Sequence, residues 1–569
     1  MHDENRFNAT RSLYVDKPYL ILPVRFDASL VLMRISDNGV RKRKFGIKLA
    51  GGSPDYHVFA CLREFMGKTI EIECEGEADG PLDRLALSDD PVQPGDLCSE
   101  RYRQQYHFSS RRGFINDPNG LVYYEGEYHL CYQHQPFGTD IGFDLKHWGH
   151  AVSRDLVRWT ELDTAVYPDE LGSIFSGSAV VDWDNSSGFQ SGSEPPLVAM
   201  YTVDGRNADE NLPLVQCIAS SNDRGRSWQK HQENPALDHI VGFNRDPRVF
   251  RHGPSNEWRM VMYLDGDTYA IFGSTDLKRW VKLSEIILPE SQDCPDLFEL
   301  PVDGNPGETK WVFFTANTRY LVGSFDGTTF TPESEPLRYQ PAGTAYAAQT
   351  WSDMPSGDPR VVQISWFLTK TPGMPFTHCM TVPCTLSLTT TPKGVRLCAR
   401  PVRELENLRK NRKSWTRLIL DPGKYPEFDT RKRESPARLG DWVRYPLGKI
   451  GDCIDMECVI EIGTAEIAGI SIRGIMVLYH RDNATLSIET GIFSQRQSTS
   501  VPMELEDGVI SLRILLDRVS IEIFSSDGSV SYPVAVLPVD DNYDLFATAK
   551  GGRAVVRHLN CWRMLSIHS

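Results

Sequence analysis

The sequence predicts an all-β protein: a five-bladed β-propeller followed by a C-terminal β-sandwich and preceded by a small N-terminal β-sandwich-like module. Three observations carry this expectation. A Ser-x-Asp motif closed by an aromatic residue recurs through the middle of the chain, ending at Trp159, Trp228, Trp280 and Phe330, with spacings of 69, 52 and 50 residues. A period near 50 with strand-rich filling marks propeller blades of four strands each. Short alternating or β-branched runs punctuated by Gly, Pro and Asp dominate both flanks, and almost nothing demands a long helix.

The chain's 569 residues exceed one ordinary core, so several domains are expected. Residues 1–98 form the first. Runs at 19–24 and 29–35 are strand-like, and 69–74 alternates apolar and polar as a half-buried strand does. Pro91-Val92-Gln93-Pro94-Gly95-Asp96 is a linker. Residues 104–400 hold the repeats. Ser153-Arg154-Asp155 opens the first copy, Ser221-Asn222-Asp223 the second, Ser274-Thr275-Asp276 the third and Ser324-Phe325-Asp326 a degenerate fourth. In each, the Asp is expected to turn the chain and the aromatic to pack between blades. About 300 residues at this period give five blades. The last domain spans 401–569. The run 401–410 is its best helix candidate, with Val402, Leu405 and Leu408 on one face, bridging to strands at 454–462, 470–472, 512–516 and 519–524.

Charge narrows the partners. Against 61 basic residues stand 76 acidic ones, a net charge of −15, which disfavours nucleic acid and anionic membrane and suits a neutral ligand. No apolar run reaches the length of a membrane span. The 12 cysteines form no C-x-x-C pair and no zinc spacing with His, so free, mostly buried thiols are expected and a structural zinc is not. Met1 is followed by polar residues with no apolar secretory segment. The expected compartment is the cytoplasm, or the periplasm or exterior if a leader precedes this sequence.

A propeller gathers loops from every blade at one end of a central channel, so carboxylates far apart in sequence can meet there. Three turn-like acidic motifs stand out. Asn116-Asp117-Pro118-Asn119-Gly120 precedes a hairpin turned at Glu125-Gly126-Glu127, Arg245-Asp246-Pro247 is a second Asp before Pro, and Asp293-Cys294-Pro295-Asp296 is the third. An Asp before Pro in a turn is most often only a local hydrogen-bonding residue. Three such motifs on different blades, without a metal cluster or phosphate loop, point instead to glycoside chemistry. That chemistry needs one carboxyl group to protonate the leaving oxygen and another to attack the sugar.

Together these motifs resemble glycoside hydrolase family 32, the β-fructofuranosidases that include invertases, inulinases and levanases. Trp148-Gly149-His150, Phe175-Ser176-Gly177 and the 512–528 stretch resemble further blocks of that family, and the first 98 residues resemble an extra β-module of some bacterial members. The resemblance implies a retaining hydrolase acting on fructans, fructo-oligosaccharides or sucrose, with no cofactor and no metal. It assigns Asp117 as nucleophile, Asp246 as transition-state stabiliser with Arg245 beside it, and Asp293 to the acid/base position. Asn116, Gln133, Phe143, Trp148, Phe175, Ser176 and Trp366 are placed around the substrate.

The sequence departs from the family pattern twice. The acid/base position usually carries Glu, and Asp293 is one methylene shorter, a loss of about 1.5 Å of reach where about 1 Å can cost on the order of 10²-fold. Phe143 stands where Trp is usual, and the loop at 137–142 also differs. Asp296 is expected to support the site and Glu299 to point outward. A fructosyltransferase of the same family and a carbohydrate-binding pseudoenzyme are the alternative readings. Transfer would give longer or cyclic sugars in place of free fructose, and the pseudoenzyme would bind without turnover.

Overall fold

The computed structural model describes residues 7–76, 82–91, 98–140, 145–207, 211–429, 434–490, 497–538 and 541–568. Phe143 and most of the 91–96 linker lie outside the described residues. The fold is the predicted one. Five four-stranded antiparallel blades each start with an innermost strand: Gly113–Tyr124 in blade I, Ser173–Val181 in II, Arg245–His252 in III, Asp296–Val302 in IV and Ala345–Thr350 in V. Phe376–Thr377 leaves blade V and pairs in parallel with Gly113 and Phe114, which fastens the last blade to the first.

The repeated motif explains how the blades turn and pack. Asp155 accepts hydrogen bonds from the backbone N–H groups of Val157 and Arg158, and Asp276 from those of Lys278 and Arg279. Asp223 and Asp326 serve Ser227 and Thr328 in the same way. These are the local carboxylate–backbone bonds that make Asp a turn former. The closing aromatics lie between blades. Trp159 stacks on Trp351 of blade V with centroids 6.1 Å apart. Trp228 packs against the apolar cluster shared by blades I and II, Trp280 against that of II and III, and Phe330 is buried between III and IV.

The N-terminal module is a two-layer sandwich. One sheet orders Phe7–Tyr14, Thr69–Gly76, Val31–Asp37 and Val40–Ile47, and the other orders Tyr56–Cys61, Tyr19–Val24 and Ala86–Ser88. The C-terminal sandwich faces a six-stranded sheet against a seven-stranded one. The expected helix at 401–410 is not an α-helix. Arg403–Leu408 is a 3₁₀ segment, and Arg409–Leu420 follows it at once as a strand. The strand that begins at Arg409 leaves room for only this short segment, with which the spacing is compatible. Val402, Leu405 and Leu408 recur every three residues, the 3₁₀ period, and all three are fully buried.

Propeller and sandwich are joined by a buried ionic knot. His107 at the start of the propeller contacts Asp517 through Nδ1 at 2.9 Å and Glu522 through Nε2 at 2.8 Å. Asp517 also accepts from the backbone N–H groups of Gln105 and Tyr106, and Glu522 from that of Val382. Burial alone would depress His107, but the hydrogen bonds and charges of Asp517 and Glu522 lift it to about 9. Because the folded value lies above the unfolded one, the stability it contributes is complete below about pH 6.5 and is lost as pH rises through about 9. His107→Ala strands two buried carboxylates and should cost about 3–5 kcal/mol. Melting temperatures from pH 6 to 9.5 check this: the wild type should lose stability across that range, and the variant should start lower with a flatter profile.

Candidate active site

The site is made by one device used four times. In blade I the register slips between Ile115 and Pro118, so Asn116 and Asp117 together oppose the single residue Gln133. In blade II, Phe175 and Ser176 oppose Thr202, and in blade III, Asp246 and Pro247 oppose Met262. In blade V, Ala347 and Ala348 oppose Ser365. Each is a β-bulge near the start of an innermost strand, where an extra residue re-aims the side chains. Two expectations change here. Asp117 lies within a strand where a turn-like motif was expected, and Gly120 and Leu121 together oppose Leu130 as a second bulge in the same strand. The strand tolerates Asp117 and Gly120 because the two bulges leave these residues out of the paired register. Only Asp293 comes from a loop, just before Asp296–Val302 of blade IV.

Neighbouring bulges are stitched together. Asn119 accepts from the Gly177 N–H at 3.3 Å, and Gln349 of blade V donates to the Gly177 carbonyl at 3.1 Å. Ser178 bridges to blade III, donating to the Pro247 carbonyl and accepting from the Val249 N–H. Arg248 then spans to Asp296 of blade IV at 2.8 Å and to Thr350 of blade V at 3.0 Å. Asp296 is fully buried in this network, beneath the site, while Glu299 is exposed and bonded to Thr309.

On this base the carboxylates converge. Ser176 donates to Asp117 Oδ2 at 2.7 Å. The Asp246 N–H donates to Thr202 Oγ1 at 2.9 Å, and the Cys294 N–H donates to Asp246 Oδ2 at 3.1 Å. The Cys294 thiol lies between them, 3.7 Å from Asp117 Oδ2 and 3.5 Å from Asp246 Oδ2. Arg245 binds Asp293 Oδ2 through Nε at 3.2 Å and Nη2 at 2.5 Å, and its Nε lies 3.5 Å from Asp246. Tyr346 donates to Asp293 Oδ1 at 2.8 Å. Asp246, Cys294 and Ala347 all have φ between +46° and +62°, backbone strain of about 1–3 kcal/mol each that the surrounding contacts must offset.

Crowding shapes the electrostatics. Burial pushes the Asp117 carboxyl up, Lys146 opposes this, and Asp293 adds to it. Asp246 is pushed up to about 7 by burial, against the pull of Arg245 and with the added charges of Asp293 and Asp117. Like charges crowded into one site cannot all ionise freely. Burial and Asp293 likewise drive the Tyr346 hydroxyl up, so it stays a donor.

The other expected site residues divide. Asn116 and Gln133 are buried and Trp366 is half-buried. Their Oδ1, Nε2 and Nε1 atoms find no hydrogen-bond partner among the described residues. Buried polar atoms are ordinarily paired, so these three suit a ligand rich in hydroxyl groups. Trp148 is fully buried and lies beneath the site; its Nε1 donates to the Phe175 carbonyl at 2.9 Å and holds that bulge. Three residues here escaped the sequence reading. Tyr346 and Thr202 sit in runs with no motif. Lys146 could have been noticed two residues before Trp148; its Nζ lies 5.4 Å from the Phe175 ring centroid.

Known proteins resemble this chain in sequence and fold. Residues 107–401 match the glycosyl hydrolases family 32 N-terminal domain, and residues 404–563 match that family's C-terminal domain. A levanase of Bacillus subtilis is 38% identical over 500 residues, covering 81% of this chain and 70% of its own length. An extracellular exo-inulinase of Aspergillus niger is 30% identical over 511 residues, covering 79% of this chain and 92% of its own. The crystal structure of exo-inulinase from Aspergillus awamori superposes with a TM-score of 0.71 at 26% identity, covering 83% of this chain and 99% of that one. With both family domains matched in order along the chain, this protein belongs to glycosyl hydrolases family 32.

Proposed function

We propose that this chain is a retaining β-fructofuranosidase that hydrolyses terminal fructosyl linkages in fructans, fructo-oligosaccharides or sucrose, with residues 104–400 as its catalytic unit between an N-terminal module (1–98) and a C-terminal sandwich (401–569). The observation that carries the reading is the meeting of Asp117, Asp246 and Asp293, from three blades, around one thiol and one guanidinium. The levanase and exo-inulinase relatives support the substrate class.

In this reading Asp117 attacks the anomeric carbon of the fructosyl unit. The bond to the leaving oxygen breaks, and Asp293 delivers its proton to that oxygen. The product of this step is a fructosyl ester on Asp117. Asp293, now ionised, takes a proton from water as the water oxygen attacks the same carbon and releases Asp117. Two displacements give net retention. Asp246 accepts hydrogen bonds from ring hydroxyls that tighten as positive charge develops, with Arg245 fixing its position. Asn116, Gln133 and Trp366 offer their unpartnered atoms to the remaining hydroxyls.

The short acid is aimed by its neighbours. Arg245 holds one Asp293 oxygen and Tyr346 the other, so the carboxyl is oriented despite its missing methylene. Incubation with sucrose, inulin and levan followed by product chromatography tests the function. Free fructose is expected, longer sugars would mean transfer, and no product would overturn the reading.

Two substitutions test the roles. Asp117→Asn should abolish turnover while leaving the melting temperature near wild type, because an amide cannot form the ester; turnover near wild type would refute the assignment. Asp293→Ala should cost roughly 10²–10⁴-fold on sucrose and far less on an aryl fructoside whose leaving group needs no proton. Asp293→Glu should lower the sucrose rate, since the longer side chain must displace Arg245 or Tyr346. Equal losses of Asp293→Ala on both substrates, or a faster Asp293→Glu, would contradict this picture.

A further inference from the structure

The N-terminal module touches the propeller where blade I borders the site. Phe137, just past the Gln133-bearing strand, is only 3% exposed and belongs to the module's apolar core. Its ring stacks on Phe45 of the module, with centroids 3.9 Å apart and planes at 25°. Three residues further along, Asp140 pairs with Lys48 of the module at 3.2 Å. Behind Phe137 stands His147, edge-on at 5.8 Å, and His147 in turn meets Tyr167 at 5.6 Å. The module covers that ring too, with the Arg43 guanidinium 4.0 Å from the Tyr167 centroid.

This contact reaches the reacting groups. His147 directly follows Lys146, whose Nζ lies over Phe175 and whose charge favours the ionised form of Asp117. Trp148, next in the strand, anchors the Phe175 bulge. On the other side of the loop, Thr139 accepts from Thr377 Oγ1 at 2.8 Å, beside the segment that closes blade V onto blade I. The stretch 136–140 is thus held between the module and the closure of the propeller. An exposed ion pair such as Lys48–Asp140 contributes little by itself, whereas a buried stacked aromatic pair fixes both distance and orientation.

We propose that the N-terminal module is a working part of the active-site wall, and that Phe45 is a positioning residue which sets Lys146 and the Phe175 bulge against Asp117 through Phe137 and His147. The proposal rests on the reading of Asp117 as the reacting carboxylate. It gives the module a task in the reaction itself, with no need for a glycan site of its own.

The test uses the full-length protein with three substitutions. Phe45→Ala removes the module's half of the stack and Phe45→Leu restores apolar filling. Ile72→Ala opens the same core in a strand separated from that of Phe45 by Val31–Asp37. Hydrogen–deuterium exchange over residues 134–148 and kcat/KM for sucrose are measured on samples matched for folded fraction. Phe45→Ala should speed exchange in that stretch and lower kcat/KM by about tenfold or more, as a displacement approaching 1 Å would. Phe45→Leu should recover most of both, and Ile72→Ala should change neither beyond its effect on melting temperature. Unchanged exchange at 134–148 in Phe45→Ala, or an equal change in Ile72→Ala, would overturn the proposal. If Phe45→Ala does not fold, Phe137→Ala removes the other ring of the stack and supports the same comparison. A wild type that cleaves no fructoside would refute the reading of Asp117, while the exchange data would still decide whether Phe45 holds the loop.

Discussion

An extra residue in the innermost strand of four blades shapes the candidate site. Without the bulge at Asn116 and Asp117, strand alternation would send one of the two away from Gln133 and the channel. The same slip presents Phe175 and Ser176, Asp246, and the turn of chain beside Tyr346. Bulges leave backbone groups outside the ladder, and the side chains of Asn119, Ser178, Gln349 and Thr202 satisfy several of them. The polar layer below the site is therefore a consequence of the bulges, and Arg248 with Asp296 ties its blades together.

Convergence has an electrostatic cost. Asp117 and Asp246 are both pushed above the usual carboxylate range by burial and by their acidic neighbours. Lys146 and Arg245 are the nearby cations that moderate this, and each is placed by something outside the motif that contains the acid. Lys146 depends on the wall built from Phe137, His147 and Tyr167. Arg245 divides its guanidinium between Asp293 and Asp246. Replacing Glu by Asp at position 293 is consistent with this arrangement, because the shorter side chain still reaches both Arg245 and Tyr346.

Much of this was legible in the sequence. The aromatic repeat gave the blade count, since Trp159, Trp228, Trp280 and Phe330 occupy equivalent seams. The three acidic motifs, which the structure brings together, were conspicuous because Asp-Pro and Asp-Cys-Pro stand out in any strand-rich chain. The bulges were not legible. Asp-Pro and Asn-Gly signal turns locally, and only pairing with Glu127–Gln135 shows that the strand runs through them. Nor could the 402, 405 and 408 stripe separate an α-turn from a 3₁₀ turn without the strand that starts at Arg409. Tyr346 and Thr202 lie among ordinary strand residues, and Trp148 looked like a contact residue because its neighbours are conspicuous, although it is buried under Phe175.

The central claim is that Asp117 forms a covalent ester with the fructosyl unit while Asp246 and Asp293 act around it. Acid quenching during steady-state turnover of an activated fructoside, followed by proteolysis and mass spectrometry, tests it directly. The account predicts one fructosyl mass on the peptide carrying Asp117, disappearing when substrate is exhausted. An adduct on the peptide carrying Asp246 or Asp293, or turnover with no adduct at all under conditions where the second step is slow, would contradict it.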